Sequence, residues 1–163
     1  MTQVVIGIDP GLTGAIAALD FRGSLLSVCD MPTMQVGAGS AKVKRCVNGA
    51  ALSNILREMS KGNADDVLVV VERVSAMPGQ GVAGVFSLGE TAGCIRGVLT
   101  ARGYSTEYVS PRTWKRHFGM TADKEQARAK AIMLYPSAPL SRVKDHNRAE
   151  AILLARWWIN TSL

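Results

Sequence analysis

Two stretches of the chain are apolar without interruption and end in an acid: residues 3–9, closing on Asp9, and residues 66–72 (DVLVVVE), closing on Glu72. Short β-branched runs of this kind are central strands covered on both faces. Residues 14–20 and 25–31 are less apolar and are separated by Arg22-Gly23, which predicts an antiparallel meander after the first strand. Asn48 is placed to cap a helix running to about Ser60, with Leu52, Ile55, Leu56 and Met59 on one stripe. A longer helix is predicted over 83–102, stopped by Gly103. Tyr104–Val109 reads as another strand, ended by Ser110-Pro111, with helices to follow at 111–118, 123–134 and 146–160. The stretch 32–41 (PTMQVGAGSA) reads as a mobile loop, and Met77–Gly81 as a second loop directly after the Glu72 strand. In open α/β sheets, sites are built from loops leaving the carboxyl ends of central strands.

At 163 residues, 47% hydrophobic and 20% charged, the chain is expected to form one globular domain over 1–163. Its apolar runs are read as too short to span a membrane, and its N-terminus has no basic segment of a signal peptide, so a cytoplasmic location in a bacterial or phage-infected cell is expected. Cys29, Cys46 and Cys94 form no CxxC pair and read as reduced, small apolar residues. The net charge is +6 and the pI about 9.6, which suggests a polyanionic partner. The positive charge gathers at Lys42, Lys44 and Arg45, at Arg112, Lys115 and Arg116, and at Arg142, Lys144 and Arg148.

If the Asp9 and Glu72 strands are parallel neighbours, both acids emerge at one sheet edge. Carboxylates held close repel one another unless a cation neutralises them, and Mg²⁺ is the usual hard ion for oxygen ligands. A third acidic element opens the last helix, where Asp145 and Glu150 flank His146 and Asn147. His146 and Glu150, four residues apart, share a helix face. Asp145 reaches that face only from a position at or before the N-cap, where Asp is also favoured for capping alone.

Four motifs, in order, resemble the RuvC-like Holliday junction resolvases of phage and bacterial type. They are "GIDPGLTG", "VVVERVSAMPGQG", "VSPRTWKRHFG" with "ADKEQARA", and "DHNRAEAILLA". The resemblance implies a ribonuclease H-like α/β fold, a mixed five-stranded sheet flanked by helices. It implies a homodimer that cuts four-way DNA junctions by paired symmetric nicks, leaving 5′-phosphate and 3′-hydroxyl ends. Two Mg²⁺ per site are implied, with Mn²⁺ an acceptable substitute, and two ions about 3.5–4 Å apart activate water and hold the leaving oxygen. The site so implied comprises Asp9, Glu72, Glu150 and, completing it, Asp145. Many members of that family carry an acid three residues before the last one, where this chain has Asn147, so Asp145 or His146 stands in, or the second metal is held by fewer protein ligands. Lys115 and Lys124 match the family's two lysines; with Arg112, Arg116, Lys44 and Arg45 they are the expected DNA contacts, and Met77 is a candidate wedge between bases. The helix at 83–102 is a candidate for both core and dimer seam. Two other readings share these residues: a branched or flap DNA nuclease of the same fold, and a junction-binding module with impaired catalysis. The phosphate loop of actin-like and sugar-kinase folds also resembles "GIDPGLTGAIA", but those proteins repeat the domain and no second loop is present.

Overall fold

The computed structural model describes residues 3–37 and 44–162. Its centre is a five-stranded mixed sheet in the order β3-β2-β1-β6-β7, formed by β1 (Val4–Asp9), β2 (Ala15–Asp20), β3 (Leu25–Asp30), β6 (Val67–Glu72) and β7 (Ser105–Val109). β1, β2 and β3 make the predicted antiparallel meander, while β6 joins β1 in parallel and β7 joins β6 in parallel. A separate two-stranded hairpin pairs β4 (Thr33–Val36) with β5 (Lys44–Val47).

The helices are α1 (Gly49–Met59), α2 (Val82–Ala101), α3 (Pro111–His117), α4 (Lys124–Leu134) and α5 (His146–Ser162), with a 3-10 turn at Val143–Asp145. Asn48 caps α1 as predicted, its side chain accepting from the Ala51 N–H at 3.0 Å. Gly103 follows α2 with φ +73°, the left-handed conformation that ends a helix.

Strand alternation sorts the core into two layers. Ile6 and Ile8 of β1 and Val69 and Val71 of β6 face α1 and α2, packing with Leu52, Leu56, Ile95 and Leu99. Val5 of β1 and Val70 of β6 face the opposite side, where Trp114, Ala131, Ile152 and Leu153 of α3, α4 and α5 cover them. Gly7 lies on this second side, and the reason is contact: a Cβ there would stand 2.0 Å from the Ala151 carbonyl oxygen. The missing side chain lets α5 lie directly on β1.

Two expectations are corrected. Residues 33–36, read as part of a loop, form β4; the strand is short and its side chains are mostly exposed, so it shows neither a buried run nor clean alternation. The rest of that stretch, 38–41, and Lys42 lie outside the described residues. In addition, α2 is long and apolar enough to cross a membrane by length and composition, contrary to the reading of its apolar runs as too short. Here it lays Thr91, Ile95 and Leu99 against the sheet and leaves Val82 and Phe86 exposed.

Candidate active site

Asp9 and Glu72 end adjacent parallel strands, one step beyond the paired Ile8 and Val71. By alternation both side chains point to the α5 face. Glu72 there accepts a hydrogen bond from the indole Nε1–H of buried Trp114 at 2.8 Å. Trp114 is fixed by α3, which Ser110 caps through the Thr113 N–H and which begins at Pro111. Glu150 comes from the first turns of α5, positioned by the close approach over Gly7. It is buried, and its Oε1 lies 2.8 Å from Lys115 Nζ. That contact meets the distance of an ion pair without the alignment of a hydrogen bond, so Oε1 has a charge partner but no hydrogen-bond donor.

The three carboxylates act on one another electrostatically. Burial raises the Asp9 pKa well above its ordinary value, and the charges of Glu150 and Glu72 raise it further; Lys115 and Lys124 oppose them. Burial also raises Glu72, the Trp114 hydrogen bond pulls it down, and Glu150 pushes it up again. Among the described residues no group of three or more His, Cys, Asp and Glu side chains stands close enough together to hold a metal ion, Asp9, Glu72 and Glu150 included. Lys115 is the cation in direct contact with the group.

Asp145 has different neighbours. One oxygen accepts from the Arg142 backbone N–H at 2.8 Å, and its other oxygen from Arg142 Nη2 at 2.7 Å. This caps the 3-10 turn before α5, and the Arg142 hydrogen bond holds the Asp145 pKa below its ordinary value despite burial. The capping role thus accounts for Asp145, and the structure groups Asp9 with Glu72 and Glu150 but not with Asp145. The signal was local: an arginine three residues upstream. Asn147 donates from Nδ2 to the Thr13 carbonyl, tying the start of α5 to the β1–β2 loop. His146 uses Nδ1 on the Val143 carbonyl at 3.0 Å; a carbonyl only accepts, so Nδ1 carries the proton.

The expected DNA contacts fall in three places. Arg112, Lys115 and Arg116 line a depression on α3 with Met120 and Thr121, next to the carboxylates. Lys124 is exposed at the start of α4, with its charge felt at Asp9. Lys44 and Arg45 stand on the hairpin, Lys44 at 3.8 Å from Glu90 and Arg45 bonded to Thr33 Oγ1. In the third basic cluster, Arg142 is taken by Asp145, and Arg148 grips Asp30 through both nitrogens at 2.6 and 3.0 Å. Two of its three charges are therefore neutralised. Met77 is exposed in the loop after Glu72. Sequence reasoning missed Trp114 as the partner of Glu72, because 42 residues separate them.

Acids at the carboxyl ends of two parallel strands in a β3-β2-β1-β6-β7 sheet, met by a third from the last helix, define a ribonuclease H-like α/β protein. No family model matches the chain. Comparison with known proteins finds Holliday junction resolvases. The chloroplastic Holliday junction resolvase MOC1 of Chlamydomonas reinhardtii is 28% identical over 123 residues, which is 73% of this chain and 14% of that protein. This chain thus spans only a small part of that relative's length. Thermus thermophilus RuvC in complex with a Holliday junction substrate aligns over 98% of this chain and 96% of its own, with TM-score 0.63 and 16% identity. A second Thermus thermophilus RuvC structure gives TM-score 0.57 at 16% identity, covering 96% and 95%. The yeast mitochondrial Holliday junction resolvase Ydc2 gives 0.50 at 15% identity, covering 97% of this chain and 78% of that one. The chain is similar to RuvC in its fold.

Proposed function

We propose that residues 1–163 form one nuclease domain, a structure-selective endodeoxyribonuclease that resolves four-way DNA junctions. The observation that carries this reading is the meeting of Asp9, Glu72 and Glu150 on one face of the sheet edge, beside the basic depression on α3. A site for hydrolysing a polyanion needs negative ligands for a metal and positive groups for the flanking phosphates, and both are here within one helix of each other.

The donors fit a hard divalent cation by their chemistry, and binding would draw the three carboxylates closer than they stand here. They are all oxygen, they raise one another's affinity for positive charge, and the buried Glu150 Oε1 has no hydrogen-bond donor. Asp9, Glu72 and Glu150 would hold Mg²⁺, which supplies a nucleophile from water and stabilises the leaving oxygen. Trp114 fixes the Glu72 carboxylate by its N–H, leaving the other oxygen free to ligate. Lys115 offsets the Glu150 charge from the side of the α3 depression, where a phosphate would compete for the same ammonium. Arg112, Arg116 and Lys124 extend the positive surface beside the acids, and Lys44 and Arg45 carry it to the hairpin. The exposed apolar end of α2 at Val82 and Phe86 supports an isologous dimer, which would set two such sites symmetrically on a junction. The deciding experiment incubates the protein with synthetic four-way junctions, flaps and linear duplex, with Mg²⁺ and with EDTA. Paired nicks in the junction alone, abolished by EDTA, are expected. Equal cutting of flaps favours the branched-DNA nuclease instead, and a gel shift without cutting the binding module.

His146, rather than Asp145, is the residue to complete the site. It lies four residues before Glu150 on α5, and protonation at Nδ1 leaves the Nε2 lone pair available. Asp145→Asn should therefore keep cutting within about threefold of wild type, since its amide oxygen still accepts from the Arg142 backbone N–H. His146→Ala should lower cutting by about tenfold or more, in line with loss of a ligand-shell residue. Single-turnover cleavage rates of the two variants decide it; the opposite ranking returns the role to Asp145.

Junction binding should weaken steeply with salt. About six phosphate contacts from Arg112, Lys115, Arg116, Lys124, Lys44 and Arg45 give a slope of log K against log salt near −5. The Arg142–Lys144–Arg148 cluster is excluded from that count as largely neutralised. Gel-shift titrations from low to moderate salt measure the slope, and a value near zero rules out binding dominated by phosphates.

A further inference from the structure

The hairpin strand β5 lies along α2 with matched spacing, and each of the two elements carries a cysteine in that stretch. Lys44 Nζ is 3.8 Å from Glu90 Oε2 and sits over the Phe86 ring at 5.6 Å. Gly49, just beyond the strand, would place a Cβ 3.3 Å from Cys94 Sγ and 3.5 Å from Val98 Cγ2. Residues 86, 90, 94 and 98 are successive i, i+4 positions and form one face of α2. Lys44 and Cys46 share one face of β5. Two strand residues advance about 6.6 Å and four helix residues about 6.0 Å, so the two elements stay in step. Cys46 lies between Lys44 and Gly49, as Cys94 lies between Glu90 and Val98. Both cysteines are free and partly exposed. Cys94 packs at the edge of the core, and its thiol is pushed up by burial, then by Cys46 and Glu90 nearby.

We propose that Cys46 and Cys94 are an intramolecular disulfide site, closed by exchange with a low-molecular-weight disulfide. Cys46, on the hairpin, attacks one sulfur of the external disulfide as thiolate, expelling one thiol and forming a mixed disulfide. Cys94 then loses its proton to solvent and attacks the Cys46 sulfur, expelling the second thiol. Two cysteine thiols are oxidised and one external disulfide is reduced to two thiols. The bond clips the β4–β5 hairpin to α2 and fixes where Lys44 and Arg45 stand. It needs the two Cα atoms within about 7 Å, which the contacts on either side of the pair favour. Cys29, on β3, belongs to another part of the sheet and takes no part.

The test equilibrates the full chain with oxidised and reduced glutathione, traps free thiols by alkylation under denaturing conditions, and maps unreduced peptides by mass spectrometry. The expected result is a Cys46–Cys94 link within one chain, with Cys29 alkylated. The thermal midpoint should rise by roughly 5–10 °C and return on adding dithiothreitol, because the bond restricts the unfolded chain between residues 46 and 94. Cys46→Ser should match the wild type when reduced and show no rise when oxidised. Glutathione adducts on both cysteines without the link, links to Cys29, or links between chains would each overturn the proposal.

Discussion

Replacing Asp9 by Asn should abolish junction cutting, by more than about a hundredfold, while leaving junction binding unchanged or tighter. Asp9 ends β1 beside the Glu72 strand, and the charges of both Glu150 and Glu72 act upon it. Loss of a charged ligand from such a centre removes several kcal/mol of stabilisation from developing charge, and 2.7 kcal/mol is already a hundredfold. Binding should not suffer, because the carboxylate repels the phosphates that the lysines and arginines attract. Single-turnover cleavage and gel-shift titration measured on the same preparation separate the two effects. A variant that cuts at a comparable rate would show that the reaction centre lies elsewhere.

The same substitution has a signature in stability, measured in EDTA. The unfolded chain releases the Asp9 proton near the ordinary carboxyl value of 3.8, and the folded chain only at higher pH. Between those values the unfolded state binds fewer protons, so wild-type stability falls as pH rises, and the penalty is complete above the folded value. Asp9→Asn has no charge to bury. Its thermal midpoint should exceed that of wild type at neutral pH, and the gap should close as pH approaches 3.8. Glu72, also raised, adds a penalty of the same sign that both proteins share.

The second large effect is expected at Gly7. Gly7→Ala introduces a Cβ 2.0 Å from the Ala151 carbonyl oxygen and 2.9 Å from the Ala155 backbone nitrogen. Both obstacles are backbone, so no rotamer change relieves them, and α5 must lift from β1. The lift disturbs packing among Ile152, Leu153 and Ala155, which are fully buried. Overpacking of this kind costs about 3 kcal/mol, which for a chain of this size lowers the midpoint by roughly 6–12 °C. Cutting should fall beyond what unfolding explains, because Glu150 rides on α5 and moves away from Asp9. A midpoint within about 2 °C of wild type would mean that α5 does not bear on β1 as described.

How much of this was readable in the residues depends on the distance over which each feature is encoded. Asp9 and Glu72 were readable because a charge closing a run of buried positions is locally anomalous. Five strands and five helices were readable for the same reason, through periodicity, the Asn48 cap and stops such as Gly103 and Ser110-Pro111. Glu150 stood out with Asp145 as an acid opening the last helix, and the ordered motifs then gave it a role. What stayed hidden involves pairs far apart in the chain. Arg148 reads as a free cation until Asp30, 118 residues away, is seen to hold it. Trp114 reads as core until its N–H is found on Glu72. Gly7 reads as a small strand residue, since nothing nearby states that a helix backbone lies against it. The β4–β5 hairpin was missed because its strands are four residues long and mostly exposed, leaving no buried face to betray them.

Asn147 changes what a repair of the acid set would mean. Its amide donates to the Thr13 carbonyl in the loop that follows Asp9. An aspartate at this position has no proton to give at neutral pH, and its oxygens would face another oxygen. Restoring the acid therefore exchanges a tether for a charge, and the loop behind the first carboxylate loses its anchor as the second gains a neighbour. The chain has mechanical support at a place where the resemblance to junction resolvases implies an acid. Placing an acid at 147 thus calls for a new donor to the Thr13 carbonyl as well as the new carboxylate.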